Sequence, residues 1–494
     1  MTDKKRLLDI NKSIEQEKKL INSDKLNPRQ RLSILFDNGE YKELFKFAGF
    51  AETKNLKDGI ICAFGNINNR PATAYAFEFE YQGGSVGALQ SKQIVELYRL
   101  ARQSGLPVIA LNESGGARLT DAEDISEGYA DALREAVFCS GFIPQITATF
   151  GVCIGASAFM ATLSDFVIME KDSSMCISGA SVNKVATGED VTEKEMGGIE
   201  IHTKHSGSAH FIGNKDKETI EIVRKLLNYL PSNNSEKAPI TPTTDPEDRI
   251  EESVNNILPQ NMMSPFDIKK LINLFVDDNN FFEVQKEFAP NIITGFARFG
   301  GISVGIVANQ SNYLAGAFDS KGSRKMARFV NFLSTFNFPM ITFVDVPGAI
   351  PTVKEHKEGI LLHGAQVLQA LGHHKHLKIS IVVRKCFGGA YCMINPKSSG
   401  GDIIYAYPEA TIGIMSDQAM TSVVRKDSPL KQRIDKIHSE GGRIDGPLFL
   451  ASKAYIDDII EPSHTRIEII KALKTFGNKT FNEIPNKWMN NQQL

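Results

Sequence analysis

Apolar residues along this chain alternate between two regimes. In short runs such as LPVIALNES, FIPQITATF, DFVIME, FPMITFVDV, KISIVVRKCF and DIIYAY most positions are apolar without strict alternation, which predicts strands covered on both faces. Between them, KQIVELYRLARQSG and RKMARFVNFLSTFN carry apolar residues at helical spacing and predict amphipathic helices. Strands alternating with helices define layered α/β domains, in which ligands are expected where strands end and glycine loops turn into helices.

The pattern occurs twice. PSNNSEKAPITPTTDPEDR, at 231–249, is poor in apolar residues and reads as a linker, dividing the chain into expected domains 1–245 and 246–494. In each half a glycine turn, a helix, a proline-opened strand, a glycine loop, a helix and a second glycine loop follow in the same order. Gly84 to Pro107 is 23 positions, as is Gly316 to Pro339; Pro107 to Gly155 is 48 and Pro339 to Gly389 is 50. This ordered spacing predicts an internal duplication of one α/β unit.

Composition narrows the function. The 494 residues carry 56 Lys and Arg against 58 Asp and Glu, a net charge of -2, with no general attraction to nucleic acid or anionic lipid. Cys62, Cys139, Cys153, Cys176, Cys386 and Cys392 form no C-x-x-C pair and mostly sit in apolar runs, the usage of a reduced, cytoplasmic protein with buried thiols. The N-terminal stretch is charged throughout and reads as an exposed helix, not a signal peptide. The apolar run 142–169 is interrupted by Pro144, Gln145, Asp165 and glycines, and reads as two strands around a turn, not as a membrane span.

Four side-chain-poor loops, SGGAR, GVCIGA, DVPGA and FGGAY, occupy matched places in the two halves. Gly and Ala leave backbone N–H groups unshielded, so such a loop can hold an oxygen that gains charge during reaction. One loop alone is more simply a close helix–strand contact. The matched set favours two oxyanion holes, one per half. No acid–base pair accompanies them: DAEDISEG reads as helix-opening carboxylates, Asp345 as a turn residue, His363 as a satisfied helix histidine, and GHHKH as a solvated helix end, not a metal site. Two holes without a base suit a reaction whose substrate or cofactor brings its own.

The ordered motifs SGGARL, TGEDVT, GGIEIHTKHSGSAHF, NIITGFARFGG, VGIVANQ, FVDVPG, HGAQVL, RKCFGGAY and DDIIEPSHTR closely resemble the carboxyltransferase family. This family comprises the β subunits of biotin-dependent acyl-CoA carboxylases, such as propionyl-CoA carboxylase, and the related α subunits of biotin-dependent decarboxylases. The resemblance runs from LNPRQRLSILFDNGEY to EPSHTR. It implies two tandem crotonase-like domains, an acyl-CoA side in the N-terminal domain, a biotin side in the C-terminal domain, and active sites between opposed halves of two subunits in a homohexamer. Catalytic amides would come from Gly116, Ala117, Gly155, Ala156, Gly389 and Ala390. Acyl-CoA would also meet Ser114, Gly115 and Arg118, and biotin would meet Gly388 and Tyr391. Cys392 is the specificity candidate, and Arg118, Lys184 and Lys204 are candidates for the CoA phosphates. The implied reaction moves a carboxyl group between carboxybiotin and the α-carbon of a short acyl-CoA through an enolate; losing one hole donor costs about 2.7–4 kcal/mol of barrier.

The chain departs from common family patterns at Ala349, Thr352, Leu362 and Ile154, which puts substrate choice in question. Without a biotinyl-lysine motif or an ATP-grasp-like loop, biotin and its carboxylation are expected from a carrier and a biotin carboxylase on other chains. The alternatives are a decarboxylase subunit running the transfer backwards, a biotin-independent crotonase-like enzyme, and a non-catalytic scaffold.

Overall fold

The computed structural model describes residues 3–19, 25–49, 59–425 and 427–479. The chain forms two compact units, Met1–Glu236 and Lys237–Leu494, dividing within the proline-rich stretch.

The first unit is built on strands β1 (Tyr41–Leu44), β2 (Ile60–Ile67), β3 (Arg70–Phe77), β4 (Val108–Ser114), β5 (Gln145–Ile154), β6 (Phe166–Glu170), β7 (Ser174–Cys176) and β8 (Phe211–Gly213). Their order is β1-β2-β3-β4-β5-β6-β8, with β7 pairing β5 beyond the end of β6. The pairs β1·β2 and β2·β3 are antiparallel and the rest parallel.

The second unit repeats this plan with β9 (Phe282–Val284), β10 (Ile292–Phe299), β11 (Ile302–Asn309), β12 (Met340–Val346), β13 (Lys378–Phe387), β14 (Ile403–Ala406), β15 (Thr411–Gly413) and β16 (Asp458–Ile459). Its order is β9-β10-β11-β12-β13-β14-β16, with β15 pairing β13 and the same succession of antiparallel and parallel pairs. Even the irregularities match: the β4·β5 register shifts between Asn112 and Ser114, and the β12·β13 register between Val344 and Val346. The duplication read from spacing is therefore a duplication of topology.

Local chemistry explains the elements. Every residue of β4 and of β12 is buried, as parallel strands covered on both faces require. The crossover helix Ala88–Ser104 stops at Gly105, whose φ of 65° is the left-handed cap that glycine supplies. Its counterpart Ser320–Thr335 starts at Asp319, whose carboxylate accepts the Gly322 N–H at 2.7 Å. Helix and sheet in the first unit bury Tyr75, Ile94, Leu97 and Tyr98 together, and in the second Phe275 stacks on Phe343 with ring centroids 6.2 Å apart. The segment expected to be a turn between two strands also contains the helix Ala156–Leu163, because no residue in ASAFMATL resists a helix strongly. Among the described residues, no helix is long and apolar enough to cross a membrane.

Candidate active site

Each parallel sheet ends in two neighbouring turns, and their hydrogen bonds show which backbone donors remain available. After β4, the Gly115 N–H donates to Gly83 O at 2.9 Å, the Gly116 N–H to Ser114 Oγ at 3.2 Å and the Arg118 N–H to Val86 O at 2.8 Å. The Ala117 N–H has no acceptor among the described residues, and Ala117 is exposed. After β5, the Gly155 N–H donates to Cys176 O at 2.9 Å, leaving Ala156 N–H and Ser157 N–H free at the start of the helix Ala156–Leu163. The two turns meet: a Cβ on Gly116, where φ is +96°, would stand 3.3 Å from Ile154 O.

The second unit repeats this geometry. Ile350 N–H donates to Phe318 O at 2.9 Å and Phe318 N–H to Gly348 O at 3.1 Å, which leaves Ala349 N–H free in the place of Ala117. Gly388 N–H donates to Gly413 O at 3.0 Å, and Gly389 N–H and Ala390 N–H have no acceptor among the described residues. A Cβ added to Gly389 would meet nothing within 4 Å, so this turn opens onto a space that a side chain would fill.

Three sequence expectations are corrected here. Counting residues paired Gly155 with Gly389, whereas the β5·β7 and β13·β15 ladders pair it with Gly388, one residue earlier. The amides of Gly116, Gly155 and Gly388 are consumed within the protein and offer nothing to a ligand. Ser114 is fully buried, so its side chain lies behind the turn and not on its open face. The free N–H groups of Ala349 and Ser157 were missed; the signal for Ala349 was the DVPGA loop itself, matched to SGGAR.

The remaining residues divide between the turns and the surface. Gly115 is exposed beside Ala117; Arg118 donates to Ser85 O at 2.9 Å and lies 5.4 Å from the Tyr81 ring, held beside the first turn. Lys184 and Lys204 pair with Asp190 at 2.9 Å and Glu200 at 3.1 Å, both on exposed surface. Tyr391 is half-buried and Cys392 is the exposed thiol among five buried ones.

A buried carboxylate stands behind each first turn. Glu113 pairs with Arg31 at 2.7 Å and with Lys25, and Arg31 also holds Asp216 at 2.6 Å. Asp345 pairs with Arg384 at 2.6 Å, more than a turn residue needs. Nearby, burial first and the Asp216 carboxylate second push Glu170 up to about 7, against the pull of Arg31 and Lys25. A carboxyl raised in the folded state favours folding while it stays protonated, and that contribution is lost as pH rises from about 4.5 to 7. Glu170→Gln is therefore expected to raise the melting temperature more at pH 8 than at pH 5; an equal shift at both would refute the assignment.

The GHHKH segment is a further correction. His374 is buried, with Nδ1 3.3 Å from His376 O; burial and Lys378 hold it well below the usual histidine range, and burial likewise pushes His376 down to about 4. Both rings are neutral parts of the packing where the helix Ile360–His373 meets β13, not a solvated helix end. His363 is satisfied, Nδ1 to Gln366 Oε1 at 2.9 Å.

Two sheets of one topology each end in paired turns whose free amides can hold an oxygen that gains charge. The chain belongs to the carboxyl transferase domain family, whose model matches residues 21–491. It is 38% identical to the methylmalonyl-CoA decarboxylase subunit alpha of Veillonella parvula, over 94% of this chain and 92% of that one. It is 36% identical to the propionyl-CoA carboxylase beta chain of Roseobacter denitrificans, over 92% and 91% of the two chains. Among solved structures, transcarboxylase 12S, described as a hexamer assembly with methylmalonyl-coenzyme A and methylmalonic acid bound, superposes with a TM-score of 0.91 at 33% identity, covering 99% of this chain and 98% of that one.

Proposed function

We propose that the first unit holds a short acyl-CoA, that the second receives biotin carried on a separate protein, and that the free amides of the paired turns divide between the two carbonyl groups. Ala117 and Ala156 are the donors for the thioester oxygen, since their N–H groups are free on turns that touch. Gly389 and Ala390, joined by Ala349, are the donors for the ureido oxygen. The donor set fits both groups: neutral amides without an internal acceptor stabilise an oxygen that becomes anionic without a compensating charge in the ground state. Bound biotin supplies the carboxyl group and a nitrogen able to take the α-proton, so neither turn needs a side-chain base. Gly115 and Arg118 border the acyl side, Gly388 and Tyr391 shape the biotin turn, and Cys392, an exposed thiol next to Tyr391, is the specificity candidate.

Apolar side chains standing in water at both turns, Leu119 at 87%, Ile177 at 76% and Ile414 at 75% exposure, support a site completed by a second copy of the chain within a homohexamer. A biotin carboxylase and a biotin carrier are the partners of the carboxylating direction, in the cytoplasm. The decarboxylating direction is the alternative, since the chain is similar to both the V. parvula decarboxylase subunit and the carboxylase beta chain; co-purification with a membrane partner and no biotin carboxylase would select it.

The observation carrying this reading is the pair of free-amide turns repeated on two sheets of the same strand order. Its test is the purified chain with free biotin and, separately, malonyl-, methylmalonyl- and glutaconyl-CoA. Biotin-dependent loss of one thioester in preference to the others is expected and names the substrate; binding of the thioesters without biotin-dependent loss of any would refute the reading.

A further inference from the structure

Behind the first unit's paired turns runs a buried chain of hydroxyls that the carboxyl-transfer chemistry does not use. Tyr129 OH lies 3.0 Å from Ser157 Oγ, Ser157 Oγ donates to Ser114 Oγ at 3.2 Å, and Ser114 Oγ donates to Gly84 O at 2.9 Å while accepting the Gly116 N–H at 3.2 Å. Ser114 is 0% and Ser157 2% exposed, and Tyr129 is buried too. Each hydroxyl has one hydrogen, so the direction is forced: Ser157 gives its proton to Ser114, and Tyr129 must then donate to Ser157. The chain ends on a backbone carbonyl, with no donor left for a ligand and none able to relay a proton outward.

What the chain does is mechanical. It links the helix Ala122–Cys139, the start of the helix Ala156–Leu163, the bulged end of β4 and the turn at Gly84. The free amides of Ala117 and Ala156 are one residue from two of its anchor points, Gly116 and Ser157. A second tie, Asn112 Nδ2 to Ser157 O at 3.4 Å, fixes the same helix start. In the second unit the corresponding residues are Val346 and Ala390, which carry no hydroxyl, so this buttress belongs to one hole only.

We infer that Tyr129, Ser157 and Ser114 are positioning residues that set the separation and aim of the two amide donors for the thioester oxygen. The inference rests on the function proposed above. Oxyanion donors lose most of their effect when they are not held in place, and groups acting as one unit give non-additive losses.

The test compares Tyr129→Phe, Ser157→Ala and the double variant with the wild-type chain. Ser157→Ala copies the residue at the matched place in the second unit, and Tyr129→Phe removes a single oxygen, so both are expected to fold. Each single change should lower kcat for the biotin-dependent loss of the carboxylated thioester by about 10-fold or more, with its KM within about threefold. The double variant should be little worse than the poorer single one. Amide hydrogen exchange of the peptide spanning Ser114 to Arg118 should accelerate in all three. Unchanged kcat and exchange, or additive losses with a rising KM, would overturn the inference. An inactive wild type would refute the proposed function alone, and the exchange measurement would still decide whether the hydroxyl chain holds the turn.

Discussion

Gly389→Val is expected to reduce biotin-dependent carboxyl transfer at least about 100-fold while leaving the protein folded. Gly389 has φ -60° and ψ -24°, a conformation open to any L-residue, so the substitution strains no backbone. A Cβ there meets nothing within 4 Å, so the valine side chain projects into the open space above two free N–H groups. Blocking an oxyanion donor costs about 10²–10³ in kcat. The melting temperature should stay within about 3 °C, the shift that 1 kcal/mol gives in a unit of this length, and the affinity for CoA thioesters should be unchanged. Gly84→Val makes the contrast: its Cβ would lie 2.3 Å from Glu113 O at a φ of +63°, so stability is lost together with activity. Steady-state kinetics and thermal melting of the two variants, side by side, separate a site glycine from a packing glycine.

Asp345→Ala should give the largest loss of stability, about 3–5 kcal/mol in the second unit. Asp345 is 0% exposed and accepts from Arg384 Nη2 at 2.6 Å, Arg384 Nε at 3.2 Å and Lys385 N–H at 3.3 Å. Arg384 is itself buried, so removing the carboxylate leaves a guanidinium without its counter-charge in the core. Asp190→Ala, which breaks an exposed pair with Lys184, should cost under about 1 kcal/mol. Urea unfolding of both variants measures the difference, and similar losses would show that burial does not govern these pairs. Transfer activity should fall with Asp345→Ala, because the lost carboxylate ties the end of β12, which leads into the DVPGA turn, to Arg384 and the Lys385 N–H of β13.

The duplication was legible because proline-opened strands and glycine turns recur at fixed distances, and those distances follow from sheet geometry. The free amides were half legible. Gly-Gly-Ala says that donors are unshielded, but which N–H is spent depends on partners that no local pattern reveals. Gly116 loses its N–H to a serine two residues before it, and Gly155 loses its own to β7, a strand that begins nineteen positions later. The one-residue offset that aligned Gly155 with Gly389 arose because count alone cannot tell which glycine closes a strand pair. The partner of Glu113 was out of reach for the same reason: Arg31 lies on a separate helix, Pro28–Leu35, far earlier in the chain. His374 illustrates the limit of local rules. A histidine at a helix end suits the dipole, but here β13 starts so soon after the helix that the ring is enclosed.

The central claim is that this chain passes a carboxyl group between a CoA thioester and biotin, and label transfer tests it most directly. The wild-type protein is incubated with carboxyl-labelled methylmalonyl-CoA, with and without biocytin, and label is followed in the thioester and in the acid-labile biotin adduct. The account predicts that label leaves the thioester only when biocytin is present, and that it enters the adduct in step with the propionyl-CoA formed. Label lost at the same rate without biocytin, or release of free CoA in place of propionyl-CoA, would contradict it.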